Sequence, residues 1–280
     1  MFKSLSKKIR KSLFLEKIDQ AIQNLSQIEI ENYLNENLYK NPKYLSSRYL
    51  NQHEFQSFSQ NGEDGIIAEI FKRIGITNQY FVEFGVEDGN ETNTTYLLYQ
   101  GWGGLWIDGN EENKSSIERS FSSLIKDGKL KIIQRFITAE NIESLFSQAS
   151  VPLEFDLLSI DIDRNDYHVW KAIANYRPRV VVIEYNSIFR PGTEFIVKYD
   201  PAAMWDKTSN FAASLESYCK LAAEKGYKLV GCCFTGVNAF FVREDLAVKY
   251  FEGPFTAASF YEPPRYFLYT KNGHPRKVCL

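Results

Sequence analysis

The sequence is poor in cysteine and histidine. It holds only Cys219, Cys232, Cys233 and Cys279, and only His53, His168 and His274. No two cysteines show a C-x-x-C spacing and no cysteine–histidine set has zinc-site spacing. This excludes a structural zinc site and a disulfide framework, and the four read as reduced thiols of a cytoplasmic protein. No apolar run is long enough to span a bilayer. The first residues lack the continuous apolar core and cleavage site of a signal peptide. Charge bias is also missing. The formal net charge is −2 and the pI is near 6.0, which argues against a general nucleic-acid partner. A further absence is G-x-G-x-x-G, the spacing with which backbone amides and a helix N-terminus hold a diphosphate.

What is present is a globular composition, 44% hydrophobic and 15% aromatic over 280 residues. That suffices for one large domain with appendages. Met1 to Lys17 is basic, and Phe2, Leu5, Ile9 and Leu13 recur near helical spacing. Such a helix suits either a membrane surface or partner, or packing on the domain. With the polar, helical stretch up to Leu50 it forms an N-terminal helical extension over residues 1–50. Residues 51–250 read as the main domain, and the aromatic, proline-containing residues 251–280 as a tail. The protein is expected to be cytoplasmic, with a membrane-peripheral position open; nothing in the sequence speaks to oligomeric state.

The most informative stretch runs from Gln79 to Asn110. Tyr80-Phe81-Val82 is a β-type run ending at Glu83, followed by a loop with Gly85 and Gly89. Asn93 to Tyr99 reads as a helix, and Leu105-Trp106-Ile107 as a strand stopping at Asp108. Strand, crossover helix, strand is the unit of a doubly wound parallel sheet, which binds ligands at the carboxyl ends of its strands. The first loop carries Glu83, Glu87 and Asp88. These carboxylates would repel a diphosphate but suit a ligand bearing an ammonium and a sulfonium. A second acid one unit later, Asp108, can accept from ribose hydroxyls. This describes S-adenosylmethionine. The candidate cofactor-binding residues are Gln60, Asp64, Glu83, Gly85, Glu87, Gly89, Asn93, Asp108, Asn110 and Asp161. Gln60 and Asp64 either reach that pocket or form a turn in which Asp64 caps the following helix.

Downstream, Asn113 to Asp127 reads as a helix and Leu130 to Ile133 as a third strand. Phe155 to Ile162 is a fourth strand, rich in apolar residues because both faces are covered. Val180 to Ile183 is a fifth, ending in Glu184-Tyr185-Asn186. Residues i and i+2 of a strand share a face, so Asp161 and Asp163 are expected to project into one pocket. Tyr227 to Cys233 and Ala239 to Val242 read as an antiparallel hairpin at the sheet edge.

In order, FVEFGVEDG, GLWIDGN, LLSIDID, VVVIEYN and GVNAFFV resemble the FkbM-like branch of the S-adenosylmethionine-dependent class I methyltransferases, over roughly residues 58–245. The resemblance implies an α/β fold, a Rossmann-like sheet of seven mostly parallel strands with one antiparallel strand. It implies methyl transfer, usually to a hydroxyl of a sugar, a glycan or another small product. Glu83 and Gly85 match its first glycine loop, Asp108 its ribose-binding acid, and Asp161 and Asp163 its two acids after the fourth strand. Arg164 departs from it, since that position is usually glycine. A bulky cation there either fills part of the pocket or binds an anionic part of the substrate.

The candidate catalytic residues are Asp161, Asp163, His168, Glu184 and Asn186. If the fourth and fifth strands are neighbours, Asp161, Asp163 and Glu184 can converge on one hard cation such as Mg²⁺, which would lower the acceptor's pKa. The same acids can instead hydrogen-bond cofactor and substrate without metal. His168 is either a base or a surface residue. The long segment Phe189 to Trp205 is expected to cover the acceptor, and Arg164, Tyr185 and Arg190 are the candidate substrate contacts. Two other functions stay open: a metal-dependent glycosyltransferase using Asp161-x-Asp163, and a non-catalytic binding protein.

Overall fold

The computed structural model describes residues 15–268 and Val278. Two compact units divide the chain, Met1–Leu45 and Ser46–Leu280. Residues 1–14, which carry most of the basic N-terminal run, lie outside the described residues. In the first unit, α1 (Leu15–Leu34) has no buried residue. Ile18, Ile22, Leu25 and Ile28 form an exposed apolar stripe along it, and one turn of π-helix, Asn35–Tyr39, follows.

The second unit is an α/β sandwich. Its strands are β1 (Tyr80–Phe84), β2 (Gly103–Asp108), β3 (Leu130–Gln134), β4 (Glu154–Ile160), β5 (Arg177–Glu184), β6 (Tyr227–Cys232) and β7 (Asn238–Arg243). They form one sheet in the order β3-β2-β1-β4-β5-β7-β6. Strands β1 to β5 pair in parallel, and β7 runs antiparallel between β5 and β6. The order reverses between β1 and β4, so the carboxyl ends of these two strands flank the crevice where such sheets take ligands.

Alternation along the strands builds two cores. Val82, Phe84, Leu158, Ile160, Val181 and Ile183 face one side. There they meet α6 (Ile142–Gln148), α7 (Asp166–Ala172) and α8 (Leu215–Lys225), through Phe146, Trp170 and Tyr218. Phe81, Trp106, Leu157, Val180 and Val182 face the other, against Ile66, Ile67 and Ile70 of α2 (Glu63–Ile74). The crossover after β1 is the short α3 (Thr95–Tyr99).

The stretch expected as one helix over Asn113 to Asp127 is two, α4 (Glu111–Ser120) and α5 (Ser122–Lys126). Phe121 separates them because its ring turns inward, fully buried, edge-on to Trp106 at 4.8 Å. After β7 come α9 (Glu244–Tyr250) and α10 (Ala257–Phe260).

Candidate cofactor and acceptor site

At the end of β1 the chain must turn sharply against β4. Gly85 has φ +66°, and a Cβ there would lie 1.8 Å from the Asp161 carbonyl oxygen. Gly89, at φ +80°, lies against the rings of Phe121 and Trp106. Glycine at both positions follows from conformation and close approach together. Between them Glu87 has φ +48°, and its amide donates to Asp108 Oδ2 at 2.9 Å.

Glu83 points into the interior behind this loop. Its Oε1 accepts from the Asn93 amide at 2.8 Å and from Ser159 Oγ at 3.1 Å. Its Oε2 accepts from the amide and hydroxyl of Thr94. The register that pairs Glu83 with Ser159 across β1 and β4 brings these groups together. Burial pushes the Glu83 carboxyl up to about 7 against the pull of those four donors. Glu83 therefore fixes the segment leading into α3, and Asn93 is occupied beside it, donating to Ser159 Oγ at 3.0 Å.

Asp108 is 8% exposed. Its Oδ1 accepts from the Asn110 amide and from Asn113 Nδ2, its Oδ2 from the Glu87 amide. A carboxylate offers about four acceptor positions, so these three contacts leave Asp108 one to spare. Asn110 caps α4, accepting from the Glu112 amide. Asp64 sits in the first turn of α2, whose N-cap is Gly62. Asp64 Oδ2 gathers the amides of Ser57, Phe58 and Ser59, and exposed Gln60 accepts from Asn61 Nδ2 through Oε1. Both residues shape the turn before α2.

The other candidate residues lie at the ends of β4 and β5. Strand β4 stops at Ile160, so Asp161 and Asp163 lie in a turn, and Asp163 has φ +64°. The two-residue period does not apply there, which corrects the expectation that both acids share a strand face. Among the described residues no three His, Cys, Asp or Glu side chains are placed to hold a metal ion. Asp161, Asp163 and Glu184 thus do not form the expected Mg²⁺ site, because the two aspartates sit in the turn past β4 and not on one face of it. The neighbourhood is nonetheless strongly acidic. Burial, then the field of Asp166 and Asp163, raises Asp161 well above the usual carboxylate range. Burial, then Asp161 and Asp166, does the same to Glu184. Asp166, fully buried in the first turn of α7, accepts from the Ile162 amide and is pushed by burial up to about 7.

The segment between β5 and α8 folds onto this corner. Asn186 Nδ2 donates to the carbonyls of Ser209 and Phe211. Asn165 Nδ2 donates to the Asp200 carbonyl and Arg164 Nη1 to that of Asn210. His168 Nε2 lies 2.8 Å from the Val197 carbonyl, and Tyr199 OH donates to Glu140 at 2.6 Å. Arg164 and His168 therefore hold the loop. Tyr185 is a further correction. It is fully buried and its hydroxyl donates to the Glu262 carbonyl at 2.6 Å, so it anchors the tail and is closed to an acceptor. Arg190 is exposed on the outer side, lining a depression with Ile188, Pro191, Tyr261, Pro263 and Pro264. Thr94, Ser159 and Tyr218 carried no sequence signal; the fold alone brings them to the site.

No protein-family model and no curated protein sequence matches the chain, so the FkbM-like resemblance rests on the motifs quoted above. Solved structures resemble the fold. An S-adenosylmethionine-dependent methyltransferase from Clostridium acetobutylicum aligns at 12% identity and TM-score 0.39, over 63% of this chain and 89% of that one. A Klebsiella pneumoniae protein provisionally named an O-methyltransferase aligns at 14% and 0.45, over 79% and 99%. A Staphylococcus aureus protein provisionally named a caffeoyl-CoA O-methyltransferase aligns at 11% and 0.46, over 77% and 99%. Likeness at this level carries nothing about activity.

Proposed function

We propose that the chain is an S-adenosylmethionine-dependent methyltransferase acting on a hydroxyl of a small or glycan-like acceptor. The observation that carries this reading is Asp108. It stands at the carboxyl end of β2, almost buried, with three acceptor positions filled and one to spare, and it is tied to the Gly85 loop through the Glu87 amide. An acid so placed suits a ribose hydroxyl, and the acids around it suit the cofactor's positive groups rather than a diphosphate. When bound, the cofactor supplies an electrophilic methyl group. The chain's own work is to orient the acceptor and take its proton. Glu184 is the group for the second task. It is half-buried at the end of β5, its carboxylate makes no hydrogen bond among the described residues, and burial with the field of Asp161 raises its proton affinity. Among the described residues no three His, Cys, Asp or Glu side chains are placed to hold a metal ion, no step here runs through one, and a metal-dependent use of Asp161-x-Asp163 has no observation in its favour.

Calorimetry with S-adenosylhomocysteine tests the cofactor reading. Micromolar binding, weakened at least about tenfold in Asp108→Ala, is expected from loss of a charge-assisted hydrogen bond. Absence of binding to the wild-type protein would overturn it.

A further inference from the structure

Past the end of β5 the chain meets the segment that follows α10. Ile188, Arg190 and Pro191 from the first, and Tyr261, Pro263 and Pro264 from the second, line a depression of about 590 Å³. That volume suits a small ligand. The walls are apolar and held in place. Three of the six lining residues are prolines, which carry no N–H. Tyr261 has spent its hydroxyl, which donates to the Ser187 carbonyl at 2.6 Å, so its ring is what remains to offer. Pro263 and Pro264 are pinned on both sides. The Glu262 carbonyl before them accepts from Tyr185 OH at 2.6 Å, and the Arg265 amide after them donates to the Thr235 carbonyl at 2.8 Å.

One charge lines the depression. The Arg190 side chain is exposed and makes no hydrogen bond or ion pair among the described residues. Charges on the adjoining segments are already engaged. Arg265 pairs with Glu262 at 2.8 Å and lies over the Phe234 ring, and Glu216 accepts from the Gly192 amide. The Arg190 guanidinium is thus the one free side-chain donor among the lining residues. A guanidinium presents paired N–H groups in the geometry of a carboxylate. A ring packs on a tyrosine face and on proline edges without asking for a hydrogen bond. A polyol would find no acceptor on these walls, and a cation would be repelled by Arg190.

We infer that this depression binds a small aromatic monocarboxylate, its ring against Tyr261 and the prolines and its carboxylate on Arg190. Neither Asp108 nor the Gly85 loop takes part, so binding is expected with or without a nucleoside, and its failure would leave the cofactor reading untouched. Calorimetry on the full chain compares benzoate with benzamide, which keeps the ring and loses the charge, and with acetate, which keeps the charge and loses the ring. Benzoate is expected to bind at least about tenfold more tightly than either, as one bidentate charged contact joined to ring burial gives. Arg190→Gln should bring benzoate and benzamide close to equal. Ile188→Glu, which sets a carboxylate in the same depression, should weaken benzoate more than benzamide. Both positions are exposed, so neither change threatens the fold. Equal binding of benzoate and benzamide to the wild-type chain, no benzoate binding at millimolar concentration, or a benzoate preference that survives Arg190→Gln would overturn the inference.

Discussion

Gly85 Cα faces the main-chain carbonyl of Asp161 so closely that a Cβ would stand 1.8 Å from its oxygen. The first and fourth strands are therefore locked together at the crevice by an absent side chain. Gly85→Ala must both hold an alanine at φ +66° and push the Asp161 turn away. A loss of about 3 kcal/mol is expected from the two effects, with S-adenosylhomocysteine affinity falling at least about tenfold. Gly128→Ala is the control. Its φ is +70° but nothing lies within 4 Å of the new methyl, so only the backbone cost of about 1–2 kcal/mol applies. Denaturant midpoints that fall equally in both variants would show that the Asp161 contact is not what excludes a side chain.

Glu83→Gln tests whether that acid is a fastener. Four donors converge on its two oxygens. Glutamine keeps one acceptor oxygen and turns an NH₂ toward the others. A stability loss of about 1–3 kcal/mol follows from the unsatisfied donors, together with weaker nucleoside binding as Asn93 and Thr94 loosen. Unchanged stability with abolished binding would instead place Glu83 in direct contact with the ligand.

Strand ends are legible in the sequence, and the use of each oxygen is not. Glu83, Asp108 and Glu184 each stand at the last residue of an apolar run or just inside it, and alternation with glycine punctuation locates such runs. The partners of Glu83 come from the register with Ser159, a non-local pairing that no local pattern carries. Asp161 and Asp163 escape the same reading because the period of a strand ends with its last paired residue, Ile160. Tyr185 stands between two polar candidates, and only the packing of the tail shows its hydroxyl bound to Glu262. The loop from Ser187 to Ser214 has no periodicity to read. Its position is written in side-chain bonds from Asn165, Asn186 and His168 to its carbonyls.

The opposite end of the sheet offers a stability test that spares the site. Asp156, fully buried on β4, accepts from the amides of Thr77, Asn78 and Gln79 and pairs with Arg179 at 2.7 Å. Arg179 also donates to the carbonyls of Ile74 and Gly75 at the end of α2. Asp156→Ala strands a buried guanidinium and is expected to cost about 3–5 kcal/mol. Because these groups lie at the amino ends of the strands, nucleoside affinity measured well below the melting temperature should match wild type. A parallel fall in affinity would mean that the two ends are mechanically coupled.

The buried acids also set the direction of the pH dependence. Glu83 and Asp166 have folded-state values near 7, against ordinary values of 4.5 and 3.8. Asp161, Glu184, Glu54 and Asp64 are raised by burial as well. Between its ordinary value and its raised one, each group binds its proton more tightly in the folded chain than in the unfolded chain. Stability must then fall as pH rises through that interval and level off above the folded value. The full interval corresponds to about 3 kcal/mol for Glu83 alone and about 4 kcal/mol for Asp166 alone, upper figures for buried groups. Denaturant midpoints taken from about pH 5 to about pH 8 at fixed ionic strength should decline steadily. Asp166→Asn keeps an acceptor for the Ile162 amide, carries no titrating proton, and should flatten part of that slope. A midpoint that rises over the same range would mean that these carboxyls are ionised in the folded protein and that cations stand close to them, contrary to the electrostatics at the ends of β4 and β5.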